Sequence, residues 1–179
     1  MKKICITFFA FLIIVLSAIG LTVPKSAPET EYLRIHIRAD SNDERDQKVK
    51  YLVKAAVVEY LTPYIAECDT KKKAETLLTC RLSEIERVAD EVLSSNGFRY
   101  AAKAEVRTEK FPTRSYGELT LDGGYYDALI LELGSGKGDN WWCVVYPPLC
   151  FTGEGKGYVY KSKIYRIIKN FFDNGKEEK

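Results

Sequence analysis

The sequence predicts an α+β fold: a mainly antiparallel sheet with a helix pair and a C-terminal helix packed on one face, preceded by an N-terminal signal or anchor segment. Three observations carry that expectation. Leu33, Ile35 and Ile37 alternate with Arg34, His36 and Arg38, the period of a half-buried strand. Two long stretches between residues 44 and 95 repeat apolar residues at helical spacing. Residues 100–146 then fall into short alternating runs punctuated by glycines, as strands joined by turns do.

The first element is not part of that fold. Residues 4–23 form a nearly continuous apolar run behind Met1, Lys2 and Lys3. A basic start, an apolar stretch and small residues near its end describe a secretory signal, and Ala18-Ile19-Gly20 offers a small-x-small cleavage site. The run of 20 residues also suffices to span a bilayer as an uncleaved anchor. Two lysines before it keep that end cytoplasmic, so export of the remainder is expected either way. The resulting division is a signal peptide or membrane anchor over 1–24, a linker over 25–31, one α+β domain over 32–172 and a polar tail over 173–179.

After the first strand, Ser41 and Glu44 stand at the spacing of a capping box. Val49, Leu52, Val53, Ala56, Val57, Tyr60 and Leu61 follow as one helical stripe, with Pro63 weakening the last turn. A second helix is predicted over 72–95, its stripe Leu77, Leu78, Leu82, Ile85, Val88, Ala89 and Val92. Asn96-Gly97 ends it with a residue free to turn left-handed. Tyr100, Ala102, Ala104 and Val106 read as a strand, with shorter strands around 116–121, 128–133 and 141–146 forming a meander. Tyr160, Ile164, Ile167, Ile168 and Phe171 share one face of a closing helix.

Charge and composition exclude several functions. Two of the 27 basic residues, Lys2 and Lys3, precede the apolar start, which leaves 25 bases against 25 acids in the rest. A neutral body gives no general electrostatic reason to bind nucleic acid. One histidine excludes any metal site that needs two. The glycine loop at 134–138 lacks the GxxxxGK pattern with its following helix and reads as a strand connector. Cys143 with His36 would make a nucleophile and base if folding joined them, though nothing in the spacing does so. Asp122, Asp127, Glu132 and Asp139 could supply carboxylate pairs for sugar hydrolysis, but with 25 acids in the chain such pairs arise by chance, and solvated strand ends are the default reading.

Residues 138–151, Gly-Asp-Asn-Trp-Trp-Cys-Val-Val-Tyr-Pro-Pro-Leu-Cys-Phe, gather both tryptophans and two of the five cysteines. This segment resembles the stage II sporulation protein R family of endospore-forming bacteria. The likeness extends to residues 34–42 with Asp46 and Gln47, and to residues 111–117, Phe-Pro-Thr-Arg-Ser-Tyr-Gly. Asp40 departs from the family's usual Asn, and Asp139 from its commoner His or Gln. The resemblance implies a signal without cofactor or catalytic residues. Such a protein is made in the forespore, exported into the intermembrane space, and acts on a membrane-embedded aspartic protease of the mother cell. That protease processes the precursor of the mother-cell sigma factor. Membrane contact is expected only through the N-terminal segment. A secreted wall-polymer hydrolase and a passive wall- or lipid-binding module are the competing classes.

Seven residues are candidates for partner contact: Arg34, His36, Arg38, Asp139, Asn140, Trp141 and Trp142. If helices cover the apolar side of the first strand, its other side presents Arg34, His36 and Arg38, joined by Arg99, Lys103 and Arg107 with Glu105 among them. Adjacent strand residues point to opposite faces, so Trp141 and Trp142 cannot share one core. One is expected against the helices, the other on the open face or under the C-terminal segment. Cys143 and Cys150 lie symmetrically about Tyr146-Pro147, where a cis bond in a type VI turn would bring them opposite each other. A Cys143–Cys150 bridge is expected, with two buried thiols as the alternative, and Cys68 and Cys80 are expected to be free.

Overall fold

The computed structural model describes residues 30–151 and 158–174. The signal or anchor run, its cleavage site, linker residues 25–29 and tail residues 175–179 lie outside them. Among the described residues, no helix is long and apolar enough to cross a membrane.

The chain folds as α+β, in the order β1 (Leu33–Arg38), α1 (Glu44–Ile65), α2 (Lys71–Cys80), α3 (Leu82–Ser95), β2 (Ala102–Phe111), β3 (Arg114–Tyr116), β4 (Leu119–Leu121), β5 (Gly124–Leu133), β6 (Asn140–Tyr146), a 3-10 turn (Leu149–Phe151) and α4 (Tyr158–Asn174). Four strands form one sheet in the order β2-β5-β1-β6, and β3 and β4 pair separately. β2 with β5 and β1 with β6 are antiparallel, whereas β1 lies parallel to β5. The strands therefore do not form a simple meander. β1 inserts between β5 and β6, so β1 is a central strand with no open edge.

The helices cover the face that bears Leu33, Ile35 and Ile37. Val49, Val53, Val57 and Leu61 of α1, Leu78 of α2, and Ile85, Ala89 and Leu93 of α3 join them in the main core. α4 adds Ile164, Ile167, Ile168 and Phe171, while the side chain of Tyr160 lies outside the described residues. Alternation along each strand thus produces a dry face, and burial of these aliphatic chains drives its assembly.

Two local expectations need correction, the capping box and the unbroken second helix. The capping box does not form: Asp43 precedes the first helical residue, and the Ser41 hydroxyl instead accepts from the Asp43 N–H (3.1 Å) and donates to Asp46. α1 runs through Pro63 to Ile65, because only its final turn lies beyond the missing donor. The second long helix is broken at Arg81, whose backbone leaves helical geometry. Its guanidinium docks on α1, donating to the Tyr60 hydroxyl (3.1 Å) and sitting 3.6 Å from the Tyr64 ring centre. Gly97 takes φ 79° at the end of α3, as a left-handed terminator requires.

The loop between β5 and β6 is a connector locked to the end of β1. Gly138 donates to the Ala39 carbonyl (2.9 Å), and an added Cβ at Gly138 would lie 2.2 Å from the Ser41 carbonyl oxygen. Ser135 donates through its backbone to the Asp40 carboxylate and through its hydroxyl to the Asp40 carbonyl (2.9 Å). The Asp139 N–H donates to Asn42 Oδ1 (2.6 Å), and Lys50 Nζ donates to the Asp139 carbonyl (2.9 Å). This junction fixes where β6 enters the sheet.

Candidate functional site

The second face of the sheet carries the charged and aromatic side chains that alternate with the core. Arg34, His36 and Arg38 stand in a row on β1, opposite Val144, Trp142 and Asn140 of β6. On the other side, β5 contributes Tyr126, Ala128, Ile130 and Glu132, and β2 contributes Phe111, Glu109 and Arg107. Phe111, Tyr126, Ala128 and Ile130 make a second, smaller core, against which Tyr32 and Trp142 pack.

This face is not an open basic strip. Arg34 is 0% exposed and His36 4%. The β3–β4 hairpin places Tyr116 over Arg34 and Arg114 over Trp142, with Arg114 Cζ 4.3 Å from the indole centre. The polar alternation of β1 predicts exposure, but a strand buried on both faces hides such residues when a second layer covers them. Arg38 and Arg107 are also neutralised locally. Arg38 pairs with Glu109 and with Glu132 (2.9 Å), and Arg107 pairs with Glu105 (2.7 Å), Glu109 (3.0 Å) and Glu132 (3.3 Å).

His36 Nδ1 lies 2.9 Å from Glu109 Oε1, and its ring stacks on Trp142 with centroids 5.3 Å apart. Burial, the largest influence, holds the imidazole below its ordinary pKa, although Asn140 and Glu109 favour the charged ring and Arg38 opposes it. Burial pulls Glu109 the other way, yet Arg107, His36 and Arg38 together keep its carboxyl below the usual range.

Arg34 is held differently. Its guanidinium lies 4.2 Å from the Phe111 ring centre and 4.9 Å from that of Tyr126, and one N–H donates to the Tyr116 hydroxyl at 2.8 Å. Among the described residues, Nε and Nη1 have no hydrogen-bond partner, and neither has His36 Nε2. Residues 34–38, 111–117 and 140–142 thus converge on one face, although long stretches of chain separate them.

A family model for stage II sporulation protein R matches residues 29–156. The chain belongs to the stage II sporulation protein R family. It is also 29% identical over 171 residues to the stage II sporulation protein R of Bacillus subtilis (strain 168), covering 90% of this chain and 76% of that protein. No solved structure matches it significantly. The family resemblance read from residues 34–42, 111–117 and 138–151 therefore holds, and these segments are the ones that meet on the second face and at the loop junction beside it.

The other sequence candidates are distributed as follows. Trp141 and Trp142 occupy opposite faces: Trp141 packs against the main core with Lys54 Nζ 5.6 Å from its ring centre, and Trp142 lies between His36 and Arg114. Asp139 is exposed, held by its backbone, and Asn140 is half-buried at the start of β6. Cys143 is bonded to Cys150, with Cα atoms 6.1 Å apart and a cis bond at Tyr146-Pro147 between them. Cys143 faces the helices beside Ile35, so it shares no face with His36. Cys68 is a buried free thiol and Cys80 an exposed one.

The carboxylates do not assemble into a pair. Asp127 is on the helix face, bound to Lys71 (2.8 Å) and Thr108 (2.7 Å), whereas Glu132 belongs to the arginine network on the other. Asp122 and Asp139 are exposed at separate loops. Among the described residues, no group of three or more His, Cys, Asp or Glu is placed to hold a metal ion. Sequence reasoning missed Glu109, Tyr116, Phe111 and Tyr126 as members of the site. The signal was present in the 111–117 segment, but only the hairpin's fold over β1 turns it into a roof.

Proposed function

We propose that this protein is an exported sporulation signal, sent from the forespore into the intermembrane space. There it triggers a membrane-embedded aspartic protease of the mother cell to process the precursor of the mother-cell sigma factor. Membership of the family supports the sporulation role, and the apolar, lysine-led N-terminus supports export. The observation that carries the reading is the convergence of three family-like segments on the face away from the helices. Segments needed only for folding have no reason to gather around partially unsatisfied polar groups. Carboxylates tied up by guanidinium groups, or set on opposite faces, do not favour a wall hydrolase.

The test is reconstitution. Cells exporting this protein, placed beside membranes bearing the protease and its substrate, are expected to yield processed sigma factor. Failure of processing in the presence of folded, exported protein overturns the proposal.

A further inference from the structure

We propose that Arg34, two residues from His36 on β1, and Arg114, over the Trp142 ring, bind two carboxylates of an acidic segment in the polypeptide partner. The inference rests on the signalling reading and adds the chemistry of recognition to it.

Arg34 carries the argument. An arginine has five N–H donors and is always charged. Here the side chain is 0% exposed, and its Nε and Nη1 have no partner among the described residues. Rings of Phe111 and Tyr126 offset part of the lost hydration, but they accept no in-plane hydrogen bond from these nitrogens. A buried cation without an anion is costly to keep, and a well-packed apolar side chain would stabilise the fold more. The neighbouring cations differ: Arg38 and Arg107 each have carboxylate partners. Among the arginines of this face that lie in the sheet, Arg34 alone lacks a carboxylate partner among the described residues.

Arg114 is the second anchor. It is exposed, lies 4.3 Å from the Trp142 ring centre, and makes no ion pair among the described residues. A planar guanidinium held over an indole is pre-organised to receive a carboxylate in bidentate fashion. Arg34 and Arg114 are linked through β3, because Tyr116, two residues after Arg114, accepts the hydrogen bond from Arg34. Among the described residues, the β3–β4 hairpin pairs with no other strand, and an isolated two-stranded hairpin is only marginally stable in itself. Recognition therefore requires the hairpin to shift, opening the Arg34 donors to an incoming carboxylate while the four-stranded sheet stays paired. A charge-neutral face elsewhere leaves these two cations to choose the partner's sign.

NMR of the full exported chain, following arginine Nε–H signals, tests the site without any signalling assay. A blocked diglutamate peptide is expected to shift the Arg34 and Arg114 signals saturably, while blocked diglutamine leaves both unmoved. An unmoved Arg34 signal overturns the proposal, as does an equal response to diglutamine or to inorganic phosphate. Arg114→Gln, a change at an exposed side chain, is expected to weaken the diglutamate response about threefold or more; an unchanged response overturns the two-anchor arrangement. Arg34→Met is expected to fold and to reduce sigma-factor processing at least about tenfold. Normal processing by folded Arg34→Met overturns the proposal. If wild-type protein triggers nothing, the signalling reading fails, and the peptide titration still decides the site.

Discussion

The Arg34 guanidinium donates to the Tyr116 hydroxyl across 2.8 Å and 82 positions of sequence, joining the central strand to the hairpin that covers it. The contact is both a structural tie and, among the described residues, the one hydrogen bond made by a fully buried cation. Its two roles can be separated by substitution.

Tyr116→Phe keeps the ring and removes the acceptor. A hydrogen bond to a charged group contributes about 1.5–3 kcal/mol, and its loss leaves the donor orphaned. Urea denaturation is expected to show a loss of about 2 kcal/mol at unchanged slope. A wild-type midpoint would mean that the guanidinium finds its satisfaction elsewhere.

The tryptophans make a matched pair of measurements. Trp141→Ala removes an indole from the main core and is expected to cost about 3 kcal/mol of stability. Trp142→Ala opens the shelf between His36 and Arg114, and is expected to stay folded while processing falls by about tenfold. Two variants that merely unfold would remove Trp142 from the recognition surface.

Acid is expected to weaken the fold in two steps. His36 has a folded pKa below its unfolded value of 6.5, so the unfolded chain takes up its proton first and stability declines as pH falls below about 6.5. Glu109 is also depressed, from 4.5, so its contribution is present above that value and is lost as pH falls further through the folded pKa. Denaturation midpoints at pH 7.5, 5.5 and 4.0 are expected to fall in that order. His36→Gln should abolish the first decrement and retain the second. An equal decrement in the variant would place the first titration elsewhere.

Much of the fold was legible because period and burial agree where one face is dry. Leu33, Ile35 and Ile37 announced their strand, and Val49, Val53 and Val57 their helix. The break at Arg81 was not legible, since the helical stripe continues through it and the contacts Arg81 makes there, with Tyr60 and Tyr64, are remote in sequence. The place of β1 between β5 and β6 was hidden for the same reason: strand order depends on long-range pairing, not on local pattern. In the site, residues 34–38, 111–117 and 140–142 were all marked by family likeness. Their burial is not legible in the sequence, because alternation reports two faces and says nothing of what covers the second one.

The cysteines provide the last test. Cys143 and Cys150, at a sequence separation of 7, close a short loop that pins the 3-10 turn beside β6. Closing a loop of this size stabilises the folded state by about 2–3 kcal/mol in the chain-entropy account. The paired Cys143→Ser, Cys150→Ser variant is expected to lose that amount while remaining folded at room temperature. Thiol blocking of folded, exported protein without prior reduction should label Cys80 quickly, because it is exposed. Cys68 should be labelled slowly, since it is buried and burial, aided by Asp69, raises its thiol pKa. Mass spectrometry is expected to find Cys143 and Cys150 unlabelled until a reductant is added. Rapid labelling of either one in folded material would show that the bridge does not form after export.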